Sequence, residues 1–200
     1  MTELESLLFN ISISPNTPQQ GALLIAEPFL REEFFCHAVI CLVDYEENKS
    51  TMGIVLNKPT SYNLDEVIPN INLNTKIPVY CGGPVSYDRL FYIHTLGNII
   101  PNSKLIHNGL YIGGDLDAII DYINLGFKTT GMIRFFIGNS GWGAGQLDDE
   151  LKQYVWAVTN PTNYSNLLIG EGDKYWRRYV KTMGNEYRGW LYHPENPKMN

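Results

Sequence analysis

Cysteine is scarce in this sequence: Cys36, Cys41 and Cys81 are odd in number and form no C-x-x-C pair. That argues against a disulfide framework and against a zinc site. The four histidines, His37, His94, His107 and His193, show no H-x-x-x-H spacing, so no metal and no other cofactor is expected. Long apolar runs are missing too. The longest, Ala38–Val43, has six residues, against the roughly 20 that a membrane-spanning helix needs. The opening MTELESLLFN carries acids where a secretory signal needs bases. These absences predict a cytoplasmic protein with no membrane partner. Positive charge is also short, since 15 Lys and Arg face 21 Asp and Glu for a net −6. A protein that coats nucleic acid gains most of its affinity by displacing counterions with Lys and Arg, so direct nucleic-acid binding is not expected. The densest basic cluster, Lys174, Arg177, Arg178 and Lys181, reads as the solvated face of a helix.

What the sequence does have is the makings of a core: 44% hydrophobic and 18% charged residues place it among globular chains. There is no repeat, low-complexity stretch or linker. Residues 1–20 read as a partly ordered lead-in, and 21–200 as one domain with a packed, irregular C-terminal tail. Val-, Ile-, Phe- and Tyr-rich segments bounded by Gly, Pro and Asn predict strands at Ala22–Ala26, Ala38–Asp44, Gly53–Asn57, Ile77–Cys81, Leu90–Thr95, Leu110–Ile112 and Met132–Ile137. The segment EENKSTMG predicts an antiparallel hairpin between the second and third. Asn63 and Glu66 have the spacing of a capping box. Asp115 can cap a helix striped by Leu116, Ile119, Ile120 and Ile123 and stopped by Gly126. Further stripes run through Leu147, Leu151, Tyr154, Val155 and Val158, and through Trp176, Tyr179, Val180 and Met183. Early strands followed by helices among later strands predict an α+β domain, with a mixed, partly barrel-like sheet and flanking helices.

Three glycine- or proline-marked turns could carry chemistry. The glycines of RFFIGNSGWGAGQLDDEL fit neither the Walker nor the dinucleotide spacing. Asp148, Asp149 and Glu150 would repel a phosphate from the helix start they stabilise. Ser140 lacks the G-x-S-x-G frame of a nucleophile elbow, because Trp142 stands where the last glycine belongs. This stretch therefore reads as a turn that lets Trp142 pack across a strand end. Gly82, Gly83 and Pro84 form a forced turn after Cys81, which has no adjacent base to activate it. Asn57, Lys58 and Pro59 end a strand, where Lys58 could meet an acidic ligand or partner. The plainer reading there is an Asn57 amide bonded to backbone and a solvated Lys58. His94 reads as a satisfied structural histidine.

GALLIAEPFL, AVICLV, GIVLNKP, GGPV at 82–85, SGWGAGQLDDEL and DKYWRR occur in an order and spacing that resemble the AlgH/YqgE family of bacterial proteins, over about residues 20–184. The resemblance implies a cytosolic α+β domain and a transcriptional-regulator label, given through alginate control. It brings no established catalytic residues. The matching positions are Asn57, Lys58, Pro59, Gly82, Gly83, Pro84, Gly141, Trp142, Gly145, Gln146 and Glu150. Many members carry an aromatic residue where Asn139 stands and alanine where Ser140 stands, which weakens any role for Ser140 as a nucleophile. The expected function is thus a non-enzymatic regulatory or interaction protein with a protein partner. The alternative is a small-ligand binder or enzyme whose cleft gathers the Lys58, Gly82–Pro84 and Trp142 turns. In a third reading the glycines are purely architectural.

Overall fold

The computed structural model describes residues 17–30 and 32–193. Most of the expected lead-in (residues 1–16) and the tail prolines at 194 and 197 lie outside the described residues.

Strand β9 (Ile133–Trp142) organises the molecule. One edge pairs antiparallel with β6 (Val85–His94), from Ile133 opposite His94 to Asn139 opposite Val85. The other edge is shared: β5 (Pro78–Cys81) runs parallel to Phe135–Ile137, and β3 (Thr51–Val55) runs antiparallel to Ser140–Trp142. From β3 the sheet continues through β2 (Val39–Asp44) and β1 (Leu23–Ala26) to β10 (Trp156–Thr159). From β6 it continues through β8 (Leu110–Ile112) to β7 (Lys104–His107), and β4 (Pro59–Asn63) lies beside β5. The sheet curls until β7 comes back to the segment before β1 and to the end of β2. There Gln20 donates to the Leu105 carbonyl at 3.2 Å, and Lys104 meets Asp44 at 3.5 Å. The fold is the expected α+β class, with a mixed sheet rolled into a half-barrel.

Side chains of β1–β3 divide by parity. Leu23, Ile25, Val39, Cys41 and Ile54 face the inside of the roll. Leu24, Ala26, Ile40, Leu42 and Val55 face a second core with Trp142, Leu147 and Trp156. Both faces are covered, so these strands read as unbroken apolar runs rather than alternating ones. Helices α1 (Leu64–Val67) and α2 (Leu116–Asn124) cover β5, β6 and the start of β9 through Leu64, Tyr92, Ile119, Ile123 and Phe135. Their caps are those the sequence announces. The Glu66 carboxylate accepts from Asn63 N at 2.7 Å, and Asp115 accepts from Ala118 N at 3.1 Å. Helix α4 (Gly172–Thr182) plugs the roll with Tyr175, Trp176 and Val180, and Trp190 stacks on Trp176 at 6.3 Å.

Four expectations are corrected. The helix expected through Val158 ends at Lys152: α3 is Gln146–Lys152, Tyr154 turns the chain at φ +60°, and residues 156–159 pair with β1. The i, i+4 apolar spacing suited either element, and the Val- and Thr-bearing segment went to the open edge of β1. Asn139–Trp142, expected as a loop, continue β9 because Ser140, Gly141 and Trp142 pair with Gly53, Met52 and Thr51. Asn57, expected inside a strand, lies just past β3. Residues 188–192 of the expected irregular tail belong to a 3₁₀ helix, Asn185–Tyr192, pinned by buried Tyr187 and Trp190. Among the described residues, no helix is long and apolar enough to cross a membrane.

Candidate binding site

Asn57 stitches the fold together. Its Oδ1 accepts from Val39 N at 2.9 Å, and its Nδ2 donates to the carbonyls of His37 at 2.9 Å and Gly172 at 3.0 Å. Gly172 N returns a bond to the Asn57 carbonyl at 2.7 Å. The side chain therefore fastens the end of β3 to the start of β2 and to the head of α4, as the plainer reading of this turn expects. Lys58 differs from that reading. It is drawn inward, and its Nζ donates to the Cys36 carbonyl at 2.6 Å. Pro59 then opens β4.

The Gly82–Pro84 turn is wedged where β9 changes neighbours from β5 to β3. Gly82 N donates to the Ile137 carbonyl, and the Gly82 carbonyl accepts from Val55 N, each at 2.8 Å. A methyl group on Gly82 would sit 2.3 Å from the Gly138 oxygen, and one on Gly83 would sit 2.1 Å from the Asn139 carbonyl carbon. Only glycine lets the two backbones approach this closely. Ser140 Oγ lies 3.5 Å from the Gly82 carbonyl inside this packing, and Asn139 Nδ2 donates to the Ser140 carbonyl.

Beside that wedge, one carboxylate holds the Trp142 loop. Gly145 heads α3 at φ +77°. Gln146 accepts from Gly143 N at 3.0 Å and donates to Glu150 Oε1 at 2.9 Å. Glu150 Oε2 accepts both indole N–H groups, from Trp142 and from Trp156, each at 2.7 Å. The rings meet edge to face at 6.3 Å and are 5% and 3% exposed. They form part of the wall of a cleft of about 330 Å³, with Leu30, Glu32, Phe35, Pro84, Val85, Ser140, Gly141, Gln146, Glu150, Gln153 and Val155.

The structure thus brings Pro84, Gly141, Trp142, Gln146 and Glu150 to one cleft, from two of the three marked turns. Asn57, Lys58, Pro59, Gly82, Gly83 and Gly145 are not among its lining residues. Trp156, Phe35, Leu30 and Val85 are not among the candidate site residues that the sequence marks. Trp156 joins Trp142 only because β10 pairs with β1, a contact no local pattern announces. Chemically the cleft offers apolar surface, two carboxylates and two amides, and no histidine, cysteine, lysine or arginine is among its described lining residues. A second hollow of about 340 Å³, with Thr95, Asn108, Met132, Asn163 and Tyr164, has no charged residue among its described lining residues.

The other candidates are spent internally. His94 Nδ1 accepts from Leu96 N at 3.1 Å, and Nε2 lies 2.9 Å from the Gly113 carbonyl, which fixes the Nε2–H tautomer. Burial holds its pKa below the ordinary imidazole value, although the Gly113 bond pulls the other way. Arg177 and Arg178, expected on a solvated face, turn toward the protein. Arg177 donates to Asp173 and to the carbonyls of Leu191 and His193. Arg178 donates to the Asn166 carbonyl and lies over the Tyr175 ring at 4.5 Å. Buried Arg134, which the sequence reading passed over, donates to the carbonyls of Leu56 and Leu168 and stacks on Tyr80 at 4.1 Å. No group of three His, Cys, Asp or Glu side chains among the described residues could hold a metal ion.

Comparison with known proteins places this geometry in context. The model of the AlgH-like family matches residues 23–188. A UPF0301 protein of Parabacteroides distasonis is 42% identical over 194 residues, covering 96% of this chain and 97% of that one. A UPF0301 protein of Bacteroides thetaiotaomicron is 38% identical, with coverage of 98% and 99%. Among solved structures, the AlgH protein of Pseudomonas aeruginosa superposes with a TM-score of 0.67 at 28% identity, covering 86% of this chain and 92% of that one. A Corynebacterium diphtheriae protein shares the fold, with a TM-score of 0.74 at 23% identity and coverage of 94% and 97%.

Proposed function

The chain belongs to the AlgH-like family, and from that premise we propose that it is a non-enzymatic regulatory protein of the cytoplasm, working through a protein partner at the cleft between Pro84 and the Trp142 loop. One observation carries this reading: Glu150 and Gln146, the polar side chains best placed to meet a substrate, are already bonded to the cleft's own walls. A general base works on a nucleophile or water held within reach, and no histidine, cysteine or lysine is among the described lining residues, whereas the carboxylate serves as a clamp. Regulation by direct contact with nucleic acid has less support, because Arg177 and Arg178 are committed within the protein and the net charge is −6.

A small-ligand protein is the second reading, favoured by the concavity itself, since ligand pockets start at about 300 Å³. A photo-crosslinking amino acid at Gln153, on the cleft, and at Asp121, on α2, tests the choice in living cells. The partner reading expects a discrete protein adduct at Gln153 and none at Asp121. Adducts indifferent to position would overturn it. An unlabelled protein that converts a metabolite, and loses that activity in Glu150→Gln, would replace it with the enzymatic alternative.

A further inference from the structure

Resting on the reading of this cleft as a docking site, we propose that it receives an arginine or lysine side chain, presented between apolar residues on an exposed segment of the partner protein. The first ground is the chemistry of the clamp. Both indoles donate to the same Glu150 oxygen, and Gln146 donates to the other. All three donors are neutral, and none of the ion pairs among the described residues includes Glu150. Holding two indole N–H groups requires an acceptor, not a charge; an amide oxygen would serve. The charge itself is therefore not required to hold the two indoles, and it sits half-buried, where water screens it less than on an open surface.

The surroundings give the same sign. Glu32 adds a second carboxylate to the cleft. The walls suit the rest of such a side chain. Leu30 and Phe35, both partly exposed, offer apolar surface to a methylene stem beside the nearly buried indoles, and aromatic rings favour a cation near them. A peptide fits better than a free amine because Val85, which lines the cleft, is 45% exposed. The residues flanking an inserted side chain can cover it, a contact that a small amine has no means to use.

The test uses the full chain, isotopically labelled, and follows the indole N–H resonances of Trp142 and Trp156. Its probes are capped pentapeptides Gly-Leu-Xaa-Leu-Gly in which Xaa is arginine, lysine, norleucine or glutamate, together with agmatine as the free amine. The arginine and lysine peptides should shift both resonances saturably and bind roughly tenfold more tightly than the norleucine peptide. Glu150→Gln, which keeps an acceptor for both indoles, should erase that preference. Equal binding of the norleucine peptide would overturn the cationic occupant while leaving the cleft as a dock. Agmatine binding as tightly as the arginine peptide would overturn the peptide source. A preference that survives in Glu150→Gln, or the absence of any shift at millimolar peptide, would also overturn the proposal. The docking reading stands or falls separately, on the crosslink pattern at Gln153.

Discussion

Replacing Glu150 separates its mechanical role from its charge. In Glu150→Ala, the Trp142 and Trp156 N–H groups, on rings that are 5% and 3% exposed in the intact protein, lose their shared acceptor. A buried donor left unpaired costs about 1–3 kcal/mol, so two of them cost roughly 2–6 kcal/mol. For a chain of this size, 1 kcal/mol moves the melting midpoint by about 2–4 °C, which predicts a fall of about 4–24 °C. Glu150→Gln behaves differently. Its amide oxygen can accept both indoles, as Oε2 does now, but its NH₂ then faces that of Gln146. Rotating the Gln146 amide removes the clash and gives up the bond from Gly143 N, a surface group that water can satisfy. The charge-assisted bonds become neutral ones, a loss of about 1–2 kcal/mol or ~2–8 °C. Differential scanning calorimetry of the three proteins at one pH measures both shifts. If alanine and glutamine cost the same, or alanine costs under about 2 °C, the carboxylate does not bridge the two indoles.

Other perturbations bear on the framework. Gly83→Ala should cost about 3 kcal/mol or more, because its methyl group would lie 2.1 Å from a backbone carbon, whereas Gly141→Ala, with nothing within 4 Å, should leave the urea midpoint unchanged. Equal midpoints for the two would contradict the wedge. Asn57→Ala removes three bonds made in a buried position and should destabilise by about 2–4 kcal/mol in chemical denaturation; a loss below ~1 kcal/mol would remove it from the framework. His94 makes stability depend on pH. Burial lowers its folded pKa, so the unfolded chain binds the proton more readily. Its contribution is present above about pH 6.5 and is lost as pH falls below that value through the folded pKa. The urea midpoint should therefore drop between about pH 7.5 and about pH 5.5, and His94→Gln should flatten that drop. An unchanged slope would show that His94 is not the group responsible.

What the sequence made legible was local. The Asn63–Glu66 box, the Asp115 cap and the β2–β3 hairpin depend on residues a few positions apart, and each formed as read. Strands β4, β7 and β10 were invisible for physical reasons. PTSYN is a polar strand beside β5, KLIH is four residues long, and WAVT continues an apolar spacing that also suits a helix. The prominence of the Trp142 loop was legible from its glycines and acids, but its working partner was not. Trp156 comes under Glu150 only once β10 has found β1, and Val85 reaches the cleft only through the β6–β9 ladder. Lys58 misled for the opposite reason. A lysine after a strand usually points to water, yet here the Cys36 carbonyl captures it.

The docking claim is tested most directly by adding the protein captured at Gln153, purified, to the labelled chain and mapping which resonances move. Shifts should gather on Pro84, Val85, Gly141, Gln146 and the two indoles, leaving the hollow around Thr95, Asn108 and Met132 undisturbed. Shifts centred on that hollow, with the indole signals of Trp142 and Trp156 unmoved, would contradict the account.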